Sequence, residues 1–180
     1  MKRNLIGVAA ALSLMIPVGV VTAGPAGAAP LQSCTKLTVN VALSPGIQNT
    51  PQNQTLTATG TIGGCTPAAA TGGSGKLSAV IKIPNGSCAK LAMGNQKITG
   101  TGSTTWTNKK VSKFSLTATT GSGKNALLAT LSGKVTSGLF AGKKIGASVG
   151  FKVPPPVPDC SPAHPVKKLT IVLKKPFTLS

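Results

Sequence analysis

Acidic side chains are almost missing from this sequence. The 180 residues carry 19 Lys+Arg against a single Asp+Glu, Asp159, for a formal net charge of +18. One carboxylate excludes mechanisms that need two, and it excludes the acid-rich sites that hold calcium or magnesium. Arginine is equally scarce, with Arg3 the only one. Arginine is the planar fork that reads guanine edges and grips phosphates at two points, whereas lysine is a mobile point charge. The composition therefore argues against sequence-specific nucleic-acid recognition. Tyrosine is absent, aromatics reach only 3%, and His164 is the one histidine. No C-x-x-C pair occurs, so a zinc site is not expected and neither is any cofactor.

The N-terminus reads as an address. Lys2 and Arg3 precede an almost wholly apolar run, residues 5–21, interrupted by Pro17. Small residues follow, with Ala26-Gly27-Ala28 as the best cleavage match. Basic, apolar and small-residue segments in that order describe a secretory signal peptide. The expected division is a signal peptide over residues 1–28 and a secreted domain over residues 29–180, with Ala23 to Ala29 bracketing the cleavage site. No second apolar run approaches the roughly 20 residues of a membrane-spanning helix. Without the signal, 17 lysines face Asp159 alone.

Cysteine usage agrees with export. Cys34, Cys65, Cys88 and Cys160 make an even set, which in a secreted chain predicts two disulfides. Three pairings are possible. Cys34–Cys65 with Cys88–Cys160 is favoured, because Cys34 and Cys65 flank one predicted hairpin. Each bridge contributes about 2–4 kcal/mol by restricting the unfolded chain.

Alternation of apolar and polar residues is the dominant pattern. Leu37, Val39, Val41 and Leu43 form one set, and Leu56, Ala58, Gly60 and Ile62 alternate with four threonines. Further sets run through Leu77, Ile81, Trp106, Phe114, Ala129 and Val135. The clearest is Ile145, Ala147, Val149, Phe151 and Val153, and Leu169, Ile171 and Leu173 close the chain. Period two over five to nine residues is a half-buried strand, and the outward threonines favour strand over helix. Pro84-Asn85-Gly86-Ser87, Asn108-Lys109-Lys110 and Gly121-Ser122-Gly123-Lys124-Asn125 read as turns. Residues 44–53 and 66–75 read as longer loops, and proline-rich 154–165 must be extended and irregular. No convincing helical period is present. The expected fold is all-β: a single antiparallel β-sandwich of about eight strands, with a small β-barrel as the alternative. Trp106 falls in the inward register of its strand and is assigned to the core.

The stretch Lys134-Val135-Thr136-Ser137-Gly138-Leu139-Phe140-Ala141-Gly142-Lys143-Lys144-Ile145 resembles a segment of small exported actinobacterial β-rich proteins. Those proteins share a signal peptide, Thr/Gly-rich strands and four cysteines. The resemblance implies a secreted β fold and no particular activity. This chain departs from that group in being lysine-rich.

Candidate chemistry is sparse. Asp159, Ser161 and His164 contain the residue types of a hydrolase triad, but all lie within one proline-rich loop. Such a segment rarely orients three side chains around one centre, and a turn capped by Asp159 is the preferred reading. Gly72-Gly73-Ser74-Gly75-Lys76 and Gly121-Ser122-Gly123-Lys124 resemble phosphate loops, yet Leu77 and Asn125 stand where the hydroxyl residue belongs. The charge remains. Lys109, Lys110, Lys143 and Lys144 sit at two predicted turns and would form one basic rim if those turns share an end of the fold. Lys167, Lys174 and Lys175, with Pro176, are read as guards of an exposed sheet edge. The expected function is that of a secreted, non-catalytic protein drawn to anionic cell-wall polymers or lipid headgroups. Alternatives are a protein-binding inhibitor or effector, using residues 44–53 or 154–165, and a cationic membrane-active protein.

Overall fold

A computed structural model describes residues 30–155 and 159–180. The proposed signal peptide and its cleavage site lie outside the described residues. Eight antiparallel strands follow one another: β1 (Gln32–Ile47), β2 (Gln52–Thr66), β3 (Ser74–Gly86), β4 (Lys97–Trp106), β5 (Val111–Thr120), β6 (Leu128–Gly138), β7 (Lys144–Lys152) and β8 (Val166–Leu179). A short helix, α1 (Cys88–Met93), joins β3 to β4.

Each strand pairs with its sequence neighbour, and β8 also pairs with β1, from Gln32 opposite Leu179 to Ile47 opposite Val166. The ladder is therefore a closed barrel. This corrects the preferred two-sheet sandwich and realises the alternative. Closure leaves β8 no free edge, so Lys167, Lys174 and Lys175 do not guard one. Each strand position has a side chain directed inward or outward. Every apolar set read from the sequence falls on the inward face, with Val39, Val41, Ala58, Ile62, Ala79, Val135 and Val149 buried. The outer face presents hydroxyls and lysines, such as Thr55, Thr57, Thr99, Thr101, Ser115, Thr130 and Lys134, all exposed or half-buried. A membrane-spanning barrel has the inverse arrangement, with an apolar band outside.

Cys34 and Cys65 stand directly opposite each other on β1 and β2 and are bonded. Cys88 bonds Cys160 across 72 residues of sequence. Both favoured pairings hold. Two such bridges fit an oxidising compartment. The loop expected at residues 44–53 shrinks to 48–51, because β1 continues through Pro45 to Ile47. Gln54 makes this possible. Buried there, it accepts a hydrogen bond from the Gly46 N–H at Oε1 and donates one to the Gly46 carbonyl from Nε2, both at 2.9 Å.

Candidate functional site

Up-and-down topology sorts the connections between two ends. The β2–β3, β4–β5 and β6–β7 connections share one end, which is closed. Trp106 is buried there, and its indole Nε1 donates to Ser112 Oγ at 2.8 Å. Ser112 in turn donates to the Leu139 carbonyl at 2.6 Å. Phe140 meets Trp106 edge-on, with ring centroids 6.0 Å apart. The Leu139 N–H also donates to the Val111 carbonyl at 2.9 Å. These contacts fold the β6–β7 turn over the barrel end and pin it to the β4–β5 turn.

The consequence for charge is direct. Lys109 and Lys110 occupy the first of these turns. Lys143 lies in the second, and Lys144 begins the strand that leaves it. The four lysines singled out from the sequence therefore share one end of the molecule. Register adds two that the sequence reading missed. Lys134 on β6 is the direct cross-strand partner of Lys144, and Lys113 on β5 pairs with Ser137 at the end of β6. Like charges opposite one another on antiparallel strands destabilise the pair. The chain's only acidic side chain, Asp159, belongs to the β7–β8 connection at the other end. Register was the missing signal, since only pairing shows which lysines become neighbours.

Two shallow depressions run along the outer face of β3–β6 beside this rim. One, of about 610 Å³, is lined by Lys82, Thr99, Thr101, Ser115, Thr117 and Lys134, among others. The second, of about 410 Å³, includes Ser103, Lys113 and Thr136 and shares Val80 and Thr101 with the first. Gly100 and Gly133, at inward positions on β4 and β6, line the first depression. A Cβ at Gly100 would strike Ile81 and the Val80 carbonyl, and one at Gly133 the Ser115 carbonyl. The missing side chains let the neighbouring strands close in at these points.

The opposite end is open. The β1–β2, β3–β4, β5–β6 and β7–β8 connections surround a cavity of about 390 Å³. Its walls include Leu43, Ile47, Leu56, Ile83, Phe151 and Leu169, and Thr120 carries the one hydroxyl among its lining residues. That hydroxyl accepts from the Gln96 N–H at 3.0 Å. Helix α1 crosses the mouth as a strap. Ser87 caps its N-terminus, accepting from the Lys90 N–H, and Gly94 closes it at φ 71°. One end is tied to the β1–β2 turn, where the Cys88 N–H donates to the Gln48 carbonyl, and the disulfide to Cys160 holds it again. The other end is tied to the β5–β6 loop, through the Asn95 N–H to the Thr120 carbonyl. Those two connections lie four strands apart in a ring of eight, so the strap spans the opening. The sequence signals for α1 were the Ser87 cap and Gly94; six residues are too few for a visible helical period.

Asp159, Ser161 and His164 do meet at this end, as a turn. Asp159 Oδ1 accepts from the Ser161 N–H at 2.9 Å. His164 Nδ1 lies 3.6 Å from Asp159 Oδ2 and 3.5 Å from Ser161 Oγ. A triad needs the two imidazole nitrogens to face acid and nucleophile separately; here one nitrogen faces both. The Ser161 N–H, then the Ser161 hydroxyl and the nearby imidazole, hold the Asp159 carboxyl below its ordinary pKa. His164 and Asp159 side chains are 71% and 66% exposed, so no water-excluded site forms around them. Gly72 and Gly73 lead directly into β3, which already contains Ser74, Gly75 and Lys76, whereas residues 121–124 lie in the β5–β6 connection; neither stretch opens an α-helix. Among the described residues, no three His, Cys, Asp or Glu side chains gather as a metal site. No protein-family model, curated protein or solved structure matches the chain.

Proposed function

We propose that this is an exported, non-catalytic barrel that attaches to anionic polymers of the cell envelope through its closed end. One observation carries the reading: the lysine cluster, with no carboxylate side chain beside it, formed where the β4–β5 and β6–β7 turns are pinned together. Lys109, Lys110, Lys143 and Lys144 supply the rim, and Lys113 and Lys134 extend it down the outer face. Lys134 opposite Lys144 is a repulsive pair in the free protein. A bound polyanion relieves that repulsion. The neighbouring depressions, whose largely apolar floor carries hydroxyls and lysines such as Thr101, Ser115, Lys113 and Lys134, give an extended chain a track to follow. Lysine without arginine suits this task, because a flexible polymer of repeating anions asks for charge density rather than a planar fork. The two disulfides, the N-terminal segment and the likeness to exported actinobacterial proteins support an extracellular setting.

The test is a salt titration of binding to linear polyphosphate. Each neutralised anion of a flexible single strand contributes about 0.7 to the slope of log affinity against log salt. Four rim lysines therefore give a slope near −3, or about a fiftyfold loss of affinity between roughly 50 and 200 mM salt. Replacing Lys109, Lys110, Lys143 and Lys144 with Gln should flatten the slope by about 3. Absence of binding at low salt, or an unchanged slope in the quadruple variant, would reject the proposal.

A further inference from the structure

The open end carries chemistry that attraction to polyanions does not use. Protein interiors are close-packed, and voids larger than a water molecule are few. Yet this barrel keeps a cavity of about 390 Å³ beneath the α1 strap. An engineered apolar cavity of about 150 Å³ stays dry and admits benzene, so the space here suits a longer hydrocarbon. It also falls within the size range of small-molecule pockets, about 300–1,000 Å³. The walls are aliphatic apart from Phe151, the two bonded cysteines and the Thr120 hydroxyl. Nothing there would satisfy a sugar, a nucleotide or a buried charge.

The rim differs from the walls. Leu127 lines the cavity and is 59% exposed, so the apolar surface continues to the mouth. Two of the mouth-forming connections, β5–β6 and β7–β8, place lysines near lining residues. Lys124 precedes Ala126, Lys152 lies between Phe151 and Val153, and Lys167 follows Val166. All three lysines are exposed. The single carboxylate nearby, Asp159, already faces His164.

We infer that the cavity is a binding site for the aliphatic chain of an anionic amphiphile, of the fatty-acid class, with the tail under α1 and the head among the mouth lysines. The Cys88–Cys160 bridge holds the strap in place before the ligand arrives, which reduces the ordering that binding must supply. The inference does not depend on polyanion attachment, because it uses the other end of the barrel.

The experiment is calorimetric titration of the disulfide-intact protein with octanoate, decanoate and dodecanoate. Burial of a methylene is worth about 0.8 kcal/mol, so each added carbon inside the cavity should tighten binding about fourfold. Ala126→Trp fills the mouth and should weaken dodecanoate at least tenfold. Leu127→Glu, at an exposed position that leaves the fold intact, should weaken dodecanoate more than dodecanol. No dodecanoate binding, affinity independent of chain length, or full affinity in A126W would overturn the inference. So would dodecyltrimethylammonium binding as tightly as dodecanoate. Binding to uncharged phosphatidylcholine vesicles without uptake of free dodecanoate would also overturn it, by making the mouth a membrane-docking face.

Discussion

Replacing Cys88 and Cys160 together by Ala tests how much of this barrel's stability comes from restricting the unfolded chain. The bridge closes a loop spanning 72 residues, from the strap to the β7–β8 connection. The chain-entropy relation gives about 4.4 kcal/mol for a loop of that length. Both cysteines are only half-buried, so truncation removes little core packing and the entropy term dominates. Cys34 and Cys65 are fully buried, and their replacement would mix loop entropy with cavity formation. Domains of this size are stable by about 5–15 kcal/mol, so the loss is a large share of the total. The melting temperature should drop by roughly 10–15 °C. Equilibrium urea unfolding, followed by the fluorescence of Trp106, measures the loss. The variant should remain a folded barrel, because backbone bonds still tie Cys88 to Gln48 and Asn49 to Cys160. A loss below about 1 kcal/mol, in a reversible two-state transition, would refute the entropic account.

Two further outcomes follow from individual side chains. Ser112→Ala leaves the Trp106 indole N–H buried without an acceptor and frees the Leu139 carbonyl, so it should cost about 1–3 kcal/mol in urea unfolding; a loss under about 0.5 kcal/mol would show that the relay does not hold the closed end. Stability should change little from neutral pH down to about pH 4, because acid denaturation works mainly through carboxylates. Asp159 is the only such side chain and its folded pKa is depressed, so its contribution is complete above its unfolded pKa and fades as pH falls through the lower folded value. Urea midpoints across that range, with Asp159→Asn as control, check this; a steep loss of stability in the wild type before Asp159 titrates would contradict it.

Strand phase was legible because it is local. Most inward residues, from Leu37 to Leu173, announce themselves by contrast with a Thr, Ser, Asn or Lys beside them, although Ala42, Val80 and Val172 interrupt the contrast. Disulfide pairing was legible because Cys34 and Cys65 flank one hairpin. Closure was not, because it depends on β1 meeting β8, and no residue in either strand encodes that meeting by itself. Sandwich and barrel share the same alternation and differ only in which strands pair. The lysine rim was half legible. Turn chemistry located Lys109-Lys110 and Lys143-Lys144, but Lys113 and Lys134 joined them only through register. The apolar cavity was invisible for another reason. Its lining residues read as ordinary core positions, and nothing in a sequence says that a core position faces empty space.

The two ends of the barrel show how one composition closes in two different ways. At the closed end, Trp106, Phe140 and Leu139 fill the interior and leave lysines as the surface. At the open end, Ile47, Leu43 and Leu169 continue the same inward register, and the one aromatic there, Phe151, stands in the wall of the cavity and does not fill it. A short helix and a disulfide roof the space instead. Closing a mouth with a strap rather than with side chains retains volume while still protecting the backbone ends of eight strands. A barrel needing only rigidity would gain more by packing both ends alike, since each unfilled cubic ångström forfeits dispersion contacts along its lining. The asymmetry is what the proposed occupant of the open end requires, and the two proposals draw on different lysines, one set at each end.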